Sequence, residues 1–143
     1  MPSVTILQSW LDEVGQAVMD GDFAAYARHV VLPFANVNPV ATLIVATEAE
    51  LRTGFDVFVD MLRTQRVTDY IRLVSEAHTI GEQMIAGSYV TNLLSDGKRI
   101  APPFTSTVVL RRAQGGFWQA ATIANPLMSP AWPIHSVQPE SGA

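Results

Sequence analysis

The sequence predicts a segregated α+β domain: a curved antiparallel sheet wrapped around a long helix, in the order α-α-β-β-α-β-β-β-β. Three observations predict it. Up to about residue 65 the apolar residues recur mainly at helical spacing, and after Thr68 they alternate with a period of two. The turn signals Gly81-Glu82, Asp96-Gly97 and Gln114-Gly115-Gly116 divide the second half into strands joined as hairpins. Helices come first and long strands last, so the chain lacks the βαβ alternation of a parallel sheet.

Each element has a local cause. A first helix is expected from Thr5 to Asp20, burying Ile6, Leu7, Trp10, Leu11, Val14, Ala17 and Val18 on one face. Thr5 and Gln8 suit a capping box at its start, and Gly21 suits its C-terminal end. Asp22 caps a short second helix in which Phe23, Tyr26, Ala27 and Val30 share a face. Pro33 stops helicity, and "FANV" followed by "TLIVA" reads as a hairpin turning near Asn38-Pro39. Thr47 and Glu50 form a T-x-x-E capping box for a helix over about Glu48–Gln65, with Leu51, Phe55, Phe58 and Leu62 buried. Four strands follow, about Thr68–Thr79, Gln83–Leu94, Arg99–Arg112 and Phe117–Ala124. One domain is expected over residues 1–125. The proline-rich tail, 126–143, cannot form a central strand. Its Trp132 and Ile134 are too apolar for a purely solvated end, so it is expected to pack on the domain or on a partner subunit.

Composition narrows the function classes. The chain of 143 residues has a net charge of −4, and its nine Lys and Arg form no basic stripe, which argues against nucleic acid. No apolar run approaches the roughly 18 residues that span a bilayer. The first ten residues lack the basic region and cleavage site of a signal peptide, so a cytoplasmic location is expected. There is no cysteine, and the three histidines form no metal-ligand spacing, so neither a metal nor another cofactor is expected. No Gly-x-Gly-x-x-Gly, P-loop or nucleophile elbow occurs.

The segments "DGDFAAYARHV", "TEAELRTGFDVF", "LSDGKRIAPPFTSTVVLRR" and "GGFWQAATI", together with the element order, carry a family resemblance. Residues 5–125 resemble the nuclear transport factor 2-like superfamily, and within it the SnoaL-like group. The resemblance implies a sheet curled around a long helix into a cone that often holds an apolar pocket. Members include isomerases, dehydratases, cyclases, hydrolases and proteins that only bind or dimerise, so the fold leaves function open. In the ketosteroid isomerase branch, an Asp before a Pro on the first hairpin takes a proton from carbon. The matching dipeptide here is Asn38-Pro39, and a carboxamide cannot be that base. A turn role is the plainer reading of Asn-Pro.

If Gly81-Glu82 and Asp96-Gly97 are both two-residue turns, the strand registers follow. Tyr70, Arg72, Glu76, His78, Ile85, Tyr89, Thr91, Phe104, Ser106 and Val108 then share one sheet face, assigned to the helices and a cavity. Ala86, Val90, Thr105, Thr107 and Val109 share the other. One layer of helices cannot cover both faces, so a homodimer packed through the second face is expected. Glu76 and His78, two apart on one strand, are the best acid/base pair in the chain. They are otherwise ordinary residues of an exposed strand end. His29 is a second candidate, or simply a partner of the second helix's C-terminus. Expected ligand contacts are Tyr26, Asn36, Phe55, Phe58, Tyr89, Thr91, Phe104 and Ser106. Three functions stay open: a cofactor-independent lyase or isomerase acting on a small apolar molecule, a protein that binds such a molecule unchanged, and a dimerisation module.

Overall fold

A computed structural model describes residues 2–137. Its elements are α1 (Ser3–Asp20), α2 (Phe23–Ala27), β1 (Val30–Asn38), β2 (Ala41–Val45), α3 (Glu48–Thr64), β3 (Asp69–Ile80), β4 (Met84–Ser95), β5 (Lys98–Arg99), β6 (Phe104–Arg112) and β7 (Trp118–Ala124). The strands form one curved sheet in the order β2-β1-β7-β6-β4-β3, with the short β5 on β4. The sheet is mixed rather than wholly antiparallel, because β1 runs parallel to β7. The hairpins determine every antiparallel neighbour. The β1–β7 pairing joins two strands 80 residues apart in number and had no local signal.

Helix α1 buries Leu7, Trp10, Leu11, Val14, Ala17 and Val18, as its periodicity requires. Gly21 ends it at φ 70, a left-handed backbone that glycine adopts without steric cost. The helix starts earlier than expected, behind Pro2, and Thr5 and Gln8 make no capping box. Gln8 serves the sheet instead. Its Nε2 donates to Arg72 O at 2.8 Å, and its Oε1 accepts from Val74 N at 3.0 Å. Strand β3 lies at the sheet edge, so this amide occupies backbone groups that would otherwise be open. The Thr47–Glu50 box at α3 is complete in both directions. Strand β1 already begins at Val30, so α2 stops at Ala27.

Two turns decide which side chains point inward. Asp96 and Gly97, at φ 49 and 81, make the expected two-residue turn, with Ser95 opposite Lys98. The segment after β5 then shifts the pairing by two residues, so that Tyr89 meets Ser106 and Thr91 meets Phe104. An even shift leaves every side chain on its expected face. The β3–β4 turn holds three residues, 81–83, since Ile80 pairs with Met84. The extra residue is taken up by a bulge at Ser75, between the Val74–Tyr89 and Glu76–Ser88 pairs. This odd shift leaves Arg72 inside, opposite Thr91, and turns Glu76 and His78 out to solvent.

The core lies between the concave sheet face and the helices, and includes Leu7, Leu11, Leu51, Phe55, Ile85, Tyr89, Val108 and Leu110. The tail joins it. Leu127 and Val137 are buried, Trp132 Nε1 donates to Glu50 O at 2.8 Å, and Asn38 Nδ2 donates to Ser129 O at 2.8 Å. Residues 138–143 of the expected tail lie outside the described residues. No helix among the described residues is long and apolar enough to cross a membrane.

Trp132 packs against Gly54 of α3, where an added Cβ would overlap its indole ring. In an unobstructed helix, glycine to alanine stabilises by about 1 kcal/mol. Here Gly54→Ala is expected to destabilise instead, by about 1–3 kcal/mol, the usual cost of overpacking. Cleavage within residues 126–137 by a dilute protease should quicken while helix content stays constant. A more stable, equally resistant variant would show that Trp132 does not rest there.

Candidate functional site

A cavity of about 150 Å³ opens between α1, α2, α3, the concave sheet face and the tail. All eight expected ligand contacts border it: Tyr26, Asn36, Phe55, Phe58, Tyr89, Thr91, Phe104 and Ser106. The elements explain their meeting. Thr91 and Tyr89 on β4 pair with Phe104 and Ser106 on β6, with side chains on the concave face. Helix α3 presents Phe55 and Phe58 from across the cavity, and α2 presents Tyr26. The rings contact one another: Tyr26–Phe55 at 5.0 Å and Phe58–Tyr70 at 5.7 Å between centroids.

The expected acid/base pair is not in this cavity. Glu76 and His78 are exposed on the convex face, opposite Ser88 and Ala86. Tyr89 points the other way, so the pair and the aromatic walls lie on opposite sides of the sheet. The bulge at Ser75 is the reason. A two-residue turn would have required no bulge and would have kept both side chains inside. His29 is also elsewhere. Its Nδ1 is 2.7 Å from Ala25 O near the end of α2, and its Nε2 is 2.8 Å from Glu13. The helix-end role considered for it matches this position. Its backbone oxygen accepts from Trp10 Nε1 and Ala120 N, joining α1, α2 and β7. Asn38 is a turn residue: its Oδ1 accepts from Val40 N and Ala41 N, each at 3.0 Å.

The structure adds Arg72, Asn125, Trp132 and Ile134 to the cavity wall. Arg72 is the most consequential. Its Nη2 donates to Leu11 O at 2.8 Å, and its guanidinium carbon lies 4.7 Å from the Tyr70 ring centre and 5.7 Å from that of Tyr89. The register had placed it on the cavity face, and its position two residues after Tyr70 on an alternating strand was the available signal. The tail residues had only their hydrophobicity as a signal, and nothing local says where such a tail docks.

Comparison with solved structures identifies the architecture. A Streptomyces avermitilis protein of the NTF2-like family, called a "putative dehydratase", aligns at TM-score 0.61 and 15% identity, covering 85% of this chain and 93% of that one. A Shewanella frigidimarina "putative ketosteroid isomerase" aligns at TM-score 0.61 and 13% identity, over 82% and 91%. A Nostoc punctiforme protein of unknown function with a cystatin-like fold aligns at TM-score 0.62 and 17% identity, over 85% and 87%. The fold is nuclear transport factor 2-like, of the cystatin-like kind. These identities carry the fold alone. No family model matches the sequence, and no curated protein matches it. Within the NTF2-like frame, the first hairpin carries Asn36 into the cavity and uses Asn38 for its turn.

Two phenols in the site are held neutral. Burial pushes the Tyr26 hydroxyl up to about 12, a rise supported by Tyr70 and opposed by Arg72. Burial also raises Tyr89, with Arg72 and the Ser106 hydroxyl opposing. Tyr26 is half-buried as a residue, but its hydroxyl end lies inside. Folded Tyr26 therefore keeps its proton to about pH 12, whereas an unfolded phenol releases it near 10.0. The unfolded state binds fewer protons in that window, so stability should be level near neutral pH and fall as pH rises from about 10 to 12. Urea midpoints measured at stepped pH check this. Midpoints that stay level through the window would show a solvated Tyr26 hydroxyl.

Proposed function

We propose that this chain binds a small, largely apolar organic molecule in the cavity and releases it unchanged. The observation that carries the reading is the wall itself. Aromatic rings from three helices and the sheet line about 150 Å³, and no carboxylate or imidazole is among the described residues lining it. A cavity of that size accommodates one six-membered ring. Proton abstraction from carbon needs a base ionised near neutral pH, and the phenols here are raised, not lowered. A lyase or isomerase reading draws on the names of two structural neighbours and on protonated Tyr26 and Tyr89, which could polarise a carbonyl.

Cyclohexanone is a suitable probe, because it is ring-sized and exchanges its α-protons under base catalysis. Binding followed by tryptophan fluorescence is expected for the wild type. Tyr89→Ala should weaken it about tenfold through lost contact area. The probe recovered from heavy water should carry no more deuterium than a protein-free control. Accelerated exchange would favour the isomerase reading, and failure to bind would remove both.

We further propose that a second copy covers the convex face, making a homodimer. Ala86 pairs with Val109 and Val90 with Thr105 on that face. Beside them, Ile71 and Leu73 remain 40% and 56% exposed, more than a solvated strand needs. An interface of standard size would bury about 800 Å² per subunit. Val90→Arg should shift the mass seen by light scattering from dimer to monomer while the chain keeps its folded circular dichroism spectrum. A variant that stays dimeric would place the interface elsewhere.

A further inference from the structure

The polar groups on the cavity wall are one guanidinium, two carboxamides, two indole N–H groups and several hydroxyls, and the guanidinium is the one charge among the described residues there. Arg72 is buried, with 6% of its surface exposed, and no carboxylate pairs with it among the described residues. Its guanidinium donates to Leu11 O, hydrogen-bonds the Tyr89 hydroxyl, and is faced by the rings of Trp10, Tyr70 and Tyr89. Rings attract a cation but do not neutralise it, and a buried charge without a counter-charge is costly.

Asn36 supplies a second donor, and its orientation follows from its neighbours. Leu127 N donates to Asn125 Oδ1 at 3.0 Å, which fixes the Asn125 amide. Asn125 Nδ2 then donates to Asn36 Oδ1 at 3.1 Å. The Asn36 carbonyl is thereby engaged, and its Nδ2 has no partner among the described residues. Asn36 is itself buried, at 7% exposure, and borders the cavity. That amide group is not sealed in protein. The hydroxyls of Tyr26, Tyr89, Thr91 and Ser106 complete the polar lining near these two residues.

We infer that the cavity takes a small organic anion: a carboxylate on an apolar body of about one six-membered ring. The carboxylate would meet Arg72, whose planar fork matches its two oxygens, and the ring would lie among Phe55, Phe58 and Phe104. The Asn36 amide offers a further donor to the same ligand. A dianion such as a phosphate fits less well, because one guanidinium is the only cation among the described residues lining the cavity. The inference rests on the binding reading above and specifies its ligand class.

Benzoate and benzamide test it, because they share a ring and a planar head and differ in charge. Calorimetric titration of the full chain is expected to show benzoate binding at least about tenfold more tightly, since a charge-assisted pair is roughly twice as strong as a neutral one. Arg72→Met should erase that preference while leaving benzamide within about twofold of its wild-type affinity. If Arg72→Met does not fold, the wild-type comparison decides, together with the near-isosteric Asn36→Asp. That change adds a negative charge to the wall and should weaken benzoate selectively. Equal binding of the two probes in the wild type would overturn the anion inference and leave the binding reading intact. If neither probe binds while cyclohexanone still does, the anion inference alone is overturned; if none of the three binds, both are.

Discussion

Helix α1 is tied along the edge strand β3, and the site depends on that seam. Ser3 Oγ donates to Ala77 O, Gln8 bonds both Arg72 O and Val74 N, and Arg72 reaches back to Leu11 O. These contacts close an open sheet edge and hold the helix over the concave face. They also fix where the buried Arg72 guanidinium sits. Without Leu11 O and the surrounding rings, a charge at that depth would favour a solvated rotamer, and the cavity would lose its most polar group. The same geometry that protects the edge therefore sets the electrostatic character of the site.

On the proposed binding reading, that character differs from a proton-transfer centre. A base that works on carbon near neutral pH is commonly a carboxylate or imidazole tuned by burial or a neighbour. Here the buried titratable groups are phenols raised by desolvation, and the nearby fixed charge is positive. Such an arrangement suits recognition of an acceptor more than removal of a proton. In the Asn36–Asn125 pair, a backbone N–H orders two amides in sequence and engages the Asn36 carbonyl.

The outward position of Glu76 and His78 shows how a sheet separates residues that look adjacent in sequence. Both lie on the strand that carries Tyr70 and Arg72, with the same alternating spacing. One additional residue in the turn, absorbed at Ser75, reverses their direction without disturbing the residues before the bulge. The two-residue shift around Pro102 and Pro103 moves the β4–β6 partners yet changes no face. Parity is what matters here. Turn length cannot be read from Gly81-Glu82 alone, because Gly81-Glu82-Gln83 is equally acceptable chemistry for a turn.

Helices α1 and α3, the capping box at Thr47, the Asn38 turn and the four long strands were legible in the sequence, because spacing and local hydrogen bonding specify them. The eight cavity contacts were legible for the same reason, as alternating positions on strands and apolar positions on helices. The parallel pairing of β1 with β7, the bulge at Ser75, the docking of Trp132 on Gly54 and the burial of Arg72 were decided only by the tertiary structure. Each joins segments far apart in the chain or balances a local preference against packing. Local sequence specifies periods and caps; the free energy of closing one curved sheet over its helices selects the registers, and with them the side chains that face the cavity.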